Sequence, residues 1–148
     1  FYDESEETAE AVSNEFGYHR FKTIEALIEA CDMVDVVTPT THHFDCAEQV
    51  IKAGKHLFIE KPITQTVEQA VAIRELAKKH GVRGQVGHVE RFNPAFTAVN
   101  HLIENPMFIE AHRLAEFNPR GTDVPVVHDL MIHDSVNHEI VISLFMIS

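Results

Sequence analysis

The sequence predicts an α/β fold: a doubly wound parallel sheet followed by the start of an α+β domain. Three observations carry that prediction. Two short runs, Val34-Asp35-Val36-Val37-Thr38 and His56-Leu57-Phe58-Ile59, alternate with segments whose apolar residues recur at helical spacing. The first run is β-branched and nearly continuous in apolar character, as expected of a strand covered on both faces. Prolines and glycines then punctuate the joints, at Gly17, Pro39, Gly54 and Gly81. Strands alternating with helices of about three turns are the pattern of a parallel sheet flanked by helices.

In chain order, Ala9, Val12 and Phe16 have helical spacing within Glu4 to Phe16, and Gly17 follows where a left-handed cap would sit. A short helix is expected around Ile24 to Ala30, then the strand Val34 to Thr38, which Pro39 ends. Phe44, Ala47, Val50 and Ile51 predict a helix over Phe44 to Ala53 that stops at Gly54, and His56 to Ile59 is the next strand. Thr66 and Gln69 have the spacing of a capping box. The apolar face Val67, Ala70, Ile73 and Ala77 follows, and Lys78, Lys79, His80 and Gly81 close the last turn. Arg83 to Gly87 is a further short strand. After it the rhythm changes to a helix near Pro94 to Ile103, an extended stretch near Met107 to Phe117, a loop rich in Asn118, Pro119, Gly121 and Asp123, and a final helix. A domain boundary is therefore expected near His88, dividing the chain into 1–88 and 89–148.

Composition bounds the function. The 148 residues are 45% hydrophobic and 24% charged, a globular balance, and the formal net charge of −11 argues against nucleic-acid or anionic-membrane partners. Cys31 and Cys46 have no Cys-x-x-Cys spacing and read as buried cytosolic thiols. No charged-then-apolar leader or bilayer-length apolar run occurs in the sequence, so a cytoplasmic protein is expected. Both ends fall abruptly, at Phe1-Tyr2 and in Phe145-Met146-Ile147-Ser148, which leads to the expectation of a piece of a longer protein.

Chemistry is suggested first by Glu60-Lys61-Pro62. A lysine where a buried parallel strand empties onto its carboxyl edge stands where open α/β sheets bind ligands. Asp129 and His133 are four apart, so on a helix they share a face and suit proton transfer; an ordinary helix-start carboxylate and an ordinary histidine are the plain alternative. Ligation of a metal by His128, Asp129 and His133 is the rival reading, but no His-Glu-x-x-His or cysteine pair supports it, and no metal is expected. Arg91, Asn93, Arg113 and Arg120 complete the candidates, because paired guanidinium donors suit phosphate.

Thr38-Pro39-Thr40 with His43, Ala53-Gly54-Lys55-His56 leading to Glu60-Lys61-Pro62, Val86-Gly87-His88-Val89-Glu90-Arg91-Phe92-Asn93-Pro94, and Asp129-Leu130-Met131-Ile132-His133-Asp134 together resemble the Gfo/Idh/MocA family of NAD(P)-dependent oxidoreductases. The resemblance implies a partial Rossmann domain and the beginning of a substrate and oligomerisation domain. It implies hydride exchange between NAD, with NADP as the alternative, and a secondary hydroxyl of a sugar or polyol. A nucleotide-sugar oxidised at its ring 3-hydroxyl is the narrower expectation, in a protein that is a homo-oligomer at full length. An NAD-dependent glycosidase of the same fold and an inactive truncated module are the alternatives. Family members open with a glycine-rich strand-turn that approaches the pyrophosphate, and this sequence contains no Gly-x-Gly-x-x-Gly.

The resemblance also implies roles. Lys61, Asp129 and His133 are the catalytic set. Asp3, Thr38, Pro39, Thr40, His43, Glu60 and Lys61 line the cofactor, and Arg91, Asn93 and Arg120 the substrate. Asp3 after Phe1-Tyr2 reads as the acid that accepts bonds from the adenosine ribose at the end of a strand, or as the N-cap of a helix beginning at Glu4. Thr38 to Thr40 read alternatively as a strand-to-helix turn with a threonine cap. Glu60 is expected to orient Lys61 or its loop.

Overall fold

A computed structural model describes residues 1–102 and 132–135. Helix α1 (Glu6–Phe16) starts behind Ser5, whose hydroxyl accepts the Thr8 amide at 3.2 Å, and ends at Gly17 with φ 68°. Asp3 is therefore not the N-cap. Its carboxylate accepts the Ser5 amide at 2.8 Å, one step upstream of the cap, while the smaller Ser5 takes the capping position. Phe1 and the 19–21 segment exchange two main-chain bonds, Phe1 N to His19 O and Phe21 N to Phe1 O, both 2.8 Å, with the offset of a parallel pair. No regular strand is assigned there among the described residues.

Helix α2 (Ile24–Ala30) is capped by Thr23 and leads into strand β1 (Met33–Val36), which stops before Val37 and Thr38 rather than including them. Helix α3 spans Thr40–Lys52 and so begins at Thr40, not Phe44. Its first turn carries threonines and histidines instead of aliphatic residues, which hid it from an apolar pattern. Pro39 occupies the N-cap position with no side-chain cap bond, so neither neighbouring threonine caps α3. Strand β2 (His56–Ile59) has its expected limits. Helix α4 (Val67–His80) has both halves of the Thr66–Gln69 capping box and a Gly81 cap at φ 67°. Strand β3 (Gly84–Val86) is shorter than expected at both ends. A 3-10 turn over Val89–Phe92 follows, then α5 (Pro94–Val99), a second 3-10 turn over Asn100–Leu102, and α6 (Ile132–Ser135). The single helix predicted from Pro94 to Ile103 thus ends early as α-helix. Asp129, Arg113, Arg120 and the stretches predicted between Met107 and Asp123 lie outside the described residues.

The strands form one parallel sheet ordered β1-β2-β3, with Val34 opposite Leu57, Val36 opposite Ile59 and Ile59 opposite Val86. Those five side chains share a face and are buried with Ala47, Val50 and Ile51 of α3 and Ala70, Ile73 and Ala77 of α4. The opposite face is open among the described residues: Met33 is 60% exposed, Asp35 and Gln85 are exposed and Phe58 is half-buried. Coverage of both faces, expected from the strand composition, is therefore not met there. The reason is topological. From β1 to β2 to β3 the sheet grows in one direction, and crossovers of one hand then stack α3 and α4 on the same side. A second helical layer needs strands added in the reverse direction beyond β1. Cys31 and Cys46 are half-buried free thiols, less enclosed than their sequence context suggested.

Candidate functional site

The carboxyl edge of the sheet assembles the candidate residues from three chain exits. β1 leaves through exposed Val37, Thr38 and Pro39; β2 through half-buried Glu60 and Lys61; β3 through Gly87 and His88. The exits stay in register beyond the strands, because the Glu60 amide bonds Val36 O at 3.0 Å and the Gly87 amide bonds Ile59 O at 2.8 Å. Lys61 is anchored from both sides in the chain: Ile59 is 1% and Ile63 7% exposed, and Pro62 is buried. The Lys61-Pro62 peptide is cis. Lys61 thus stands on a fixed loop whose flanks are part of the core.

Glu60 folds back over the edge. Its Oε2 accepts the Lys61 amide at 3.3 Å, and its carboxylate lies flat against Gly87, where an added Cβ would come 2.9 Å from Oε2 and 3.1 Å from Cδ. Only glycine leaves that space. Gly87→Ala is expected to displace the flexible carboxylate rather than the backbone. Thermal stability should then change little, while any catalytic rate that depends on this edge falls about tenfold, given how steeply rate depends on alignment. Steady-state kinetics beside a melting curve checks this.

Partial burial, and then the neighbouring Glu60 carboxylate, hold the Asp35 carboxyl above its ordinary value. Both acids therefore belong to one negatively charged corner. His88 meets the opposite treatment. Burial first, then Arg91 and His133, push it below the ordinary histidine value of 6.5, with Glu60 pulling partly the other way. These causes place Glu60, His88, Arg91 and His133 within electrostatic reach of one another, although His133 belongs to the distant segment α6. His88 was given no site role from sequence, although it lies in the motif Val86 to Pro94 and at the expected domain boundary.

The lowered His88 value has a signed consequence. The folded state binds fewer protons than the unfolded one as pH falls below about 6.5, so this contribution to stability is present above that pH and is lost through the folded-state value. Denaturant titrations at about pH 7.5 and about pH 5.5 should show a smaller acid-induced loss of stability in His88→Asn than in the parent protein.

The remaining candidates have definite places. Thr38 is hydrogen-bonded through its side chain to the Cys46 thiol, which burial pushes up, and Thr40 is 8% exposed in the first turn of α3. His43 is 1% exposed, with Nδ1 2.9 Å from Pro62 O and Nε2 2.8 Å from Thr38 O. Arg91 is exposed. Asn93 serves the chain itself: Oδ1 accepts the Ala95 amide at 3.0 Å as the N-cap of α5, and Nδ2 donates to Glu90 at 3.0 Å. Asp3 sits at the start of α1, with Arg20 in electrostatic reach; Arg20 pairs with Glu6. Among the described residues, no three His, Cys, Asp or Glu side chains are grouped to hold a metal ion.

With this geometry in view, the comparisons with known proteins are specific. Residues 1–88 match the Gfo/Idh/MocA model, described as an oxidoreductase family with an NAD-binding Rossmann fold. UDP-N-acetylglucosamine 3-dehydrogenase of Acidithiobacillus ferrooxidans is 40% identical over 134 residues, covering 90% of this chain and 43% of that protein. Its solved structure superposes with a TM-score of 0.82. The NAD(+)-dependent scyllo-inositol 2-dehydrogenase of Bacillus subtilis is 36% identical over 99 residues, covering 65% of this chain and 29% of that one. The chain therefore spans less than half the length of these curated relatives.

Proposed function

We propose, since the chain belongs to the Gfo/Idh/MocA family of NAD-binding Rossmann-fold oxidoreductases, that it carries the cofactor half and part of the catalytic machinery of a sugar or polyol dehydrogenase. The observation that carries the reading is Lys61 on a core-anchored loop at the carboxyl edge of β2, and the electrostatic effect of His133 on His88, which follows β3, supports it. The likeness to UDP-N-acetylglucosamine 3-dehydrogenase supports a nucleotide-sugar oxidised at its 3-hydroxyl as the substrate.

The residues present fit the nicotinamide end of the cofactor. The exposed turn Val37 to Pro39 and the half-buried Glu60 and Lys61 form an open shelf at the carboxyl ends of parallel strands, where dinucleotides lie in such sheets. Read as the acid that faces the adenosine ribose, Asp3 supports NAD over NADP, because a carboxylate repels a 2′-phosphate. The pyrophosphate needs a glycine-rich turn that this sequence does not contain, so the proposal places the activity in a longer polypeptide that has one. The division into a cofactor domain over 1–88 and the start of a substrate domain over 89–148 is supported by the span of the family match.

NAD, when bound, supplies the hydride acceptor. With a substrate alcohol it would take up the carbinol hydrogen together with its bonding electron pair. The hydroxyl proton passes to His133, and the C–O bond becomes a carbonyl. Lys61 stabilises the alkoxide character that develops on that oxygen. Asp129 orients the His133 imidazole from four residues upstream, and Arg91 and Arg120 receive the diphosphate of a nucleotide-sugar. The test is incubation of the full-length protein with NAD and UDP-N-acetylglucosamine, followed by nicotinamide absorbance and product analysis. Net reduced nicotinamide with a 3-keto sugar is expected. Cleavage of a glycoside with no net nicotinamide change would instead select the glycosidase reading.

A further inference from the structure

Asp3, Glu6 and Arg20 are brought together where α1 begins. Phe1 N bonds His19 O and Phe21 N bonds Phe1 O, both at 2.8 Å, so Phe1 pairs with Arg20 in parallel register, and Asp3 follows two residues later. The Asp3 carboxylate accepts the Ser5 amide at 2.8 Å, and Ser5 caps the helix whose first residue is Glu6. Asp3, Glu6 and Glu10 all act on Arg20 electrostatically, and Lys22 is a second cation whose charge reaches Glu6. The Arg20 guanidinium is already engaged. Its two terminal nitrogens donate to Glu6, Nη1 to Oε1 and Nη2 to Oε2, in a bidentate pair. Its Nε is buried and has no hydrogen-bond partner among the described residues.

We infer that Glu6 is a specificity-determining residue: by occupying both terminal nitrogens of Arg20 it withholds that guanidinium from a 2′-phosphate, so the cofactor site accepts NAD and rejects NADP. An acid at the adenosine ribose bonds its hydroxyls, whereas an arginine nearby accommodates a 2′-phosphate. Both residue types stand here, and the ion pair decides which one acts. A 2′-phosphate, carrying about −1.5 to −2 charges at pH 7, would enter against Asp3 and Glu6 while the guanidinium stays bonded to Glu6. The Glu6 side chain is 72% exposed, so removing it releases Arg20 without opening the core.

The inference rests on the dehydrogenase reading with Asp3 at the ribose, and binding of both dinucleotides to the full-length protein separates the two. The parent should bind NAD at least about tenfold more tightly than NADP, the scale of one unmade hydrogen bond. Glu6→Ala should strengthen NADP binding by about 10- to 100-fold, the scale of charge-assisted bonds to a phosphate, with the Kd for NAD held within about threefold. Glu6→Ala/Arg20→Ala keeps the net charge of the parent but lacks the guanidinium, so NADP binding should return to within about threefold of the parent. A gain that survives in the double variant would come from lost repulsion alone and overturn the inference. Equal losses for both dinucleotides, with a lower melting temperature, would show a merely structural ion pair and overturn it as well. Should the variants not fold, the parent still decides, because NADP bound as tightly as NAD would rule the withholding out. A parent that binds neither dinucleotide would instead sink the cofactor reading. A parent that binds NAD, with NADP unchanged in Glu6→Ala, would sink the Glu6 inference alone.

Discussion

Under the proposed dehydrogenase function, Lys61→Ala in the full-length protein is expected to lower kcat by about 10²- to 10³-fold, the range for removing one preorganised stabiliser of developing negative charge. Binding of NAD should change little, because the loop is held at its flanks: Ile59 and Ile63 are 1% and 7% exposed, and the Glu60 amide is tied to Val36 O. Loss confined to kcat would identify an interaction that strengthens in the transition state. Lys61→Arg should recover only part of the rate, since a planar guanidinium cannot occupy the position of a compact ammonium without moving the substrate. Pre-steady-state reduction of NAD, followed by absorbance, measures the chemical step directly. An unchanged amplitude and rate in Lys61→Ala would remove the lysine from the mechanism.

His133→Asn is expected to cost about 10²- to 10⁴-fold in kcat, the range for a positioned acid or base. The shape of the pH profile separates this role from packing. Oxidation needs a neutral imidazole to take the hydroxyl proton, so the parent enzyme should lose activity on the acid side as the base becomes protonated. The asparagine variant should show a residual rate without that acid limb. An acid limb surviving unchanged would assign the proton to another group, and His88, on which Arg91 and His133 both act electrostatically, is the candidate to substitute next.

Several parts of this protein were legible because their signals are local. α4 was readable to its limits, since the Thr66–Gln69 box, the apolar face and the Gly81 cap are all short-range features of one helix. β2 was readable because an apolar run between Gly54 and Pro62 has little room for anything else. The start of α3 was not readable. Its first turn holds Thr40 and His43, polar residues that the structure buries, with carbonyl oxygens of Pro62 and Thr38 within 2.9 Å of the imidazole of His43. Asn93 was read as a substrate ligand, whereas an amide directly before Pro94 also makes a good helix cap, and local geometry uses it so.

The sequence by itself determined the class of fold, the order of strands and helices, and the place of Lys61 at the end of β2, because hydrophobic period and turn residues act over a few neighbours. Only the tertiary structure decided that Glu60 lies against Gly87, that His43 lies between the turns after β1 and β2, and that His88 and His133 influence each other across 45 positions of chain. Such contacts join segments far apart in sequence, and their partners are main-chain oxygens, a missing Cβ or the charge of another side chain. None of these leaves a periodic trace in the sequence; packing of α3 and α4 on one side of the sheet creates the edge where they meet.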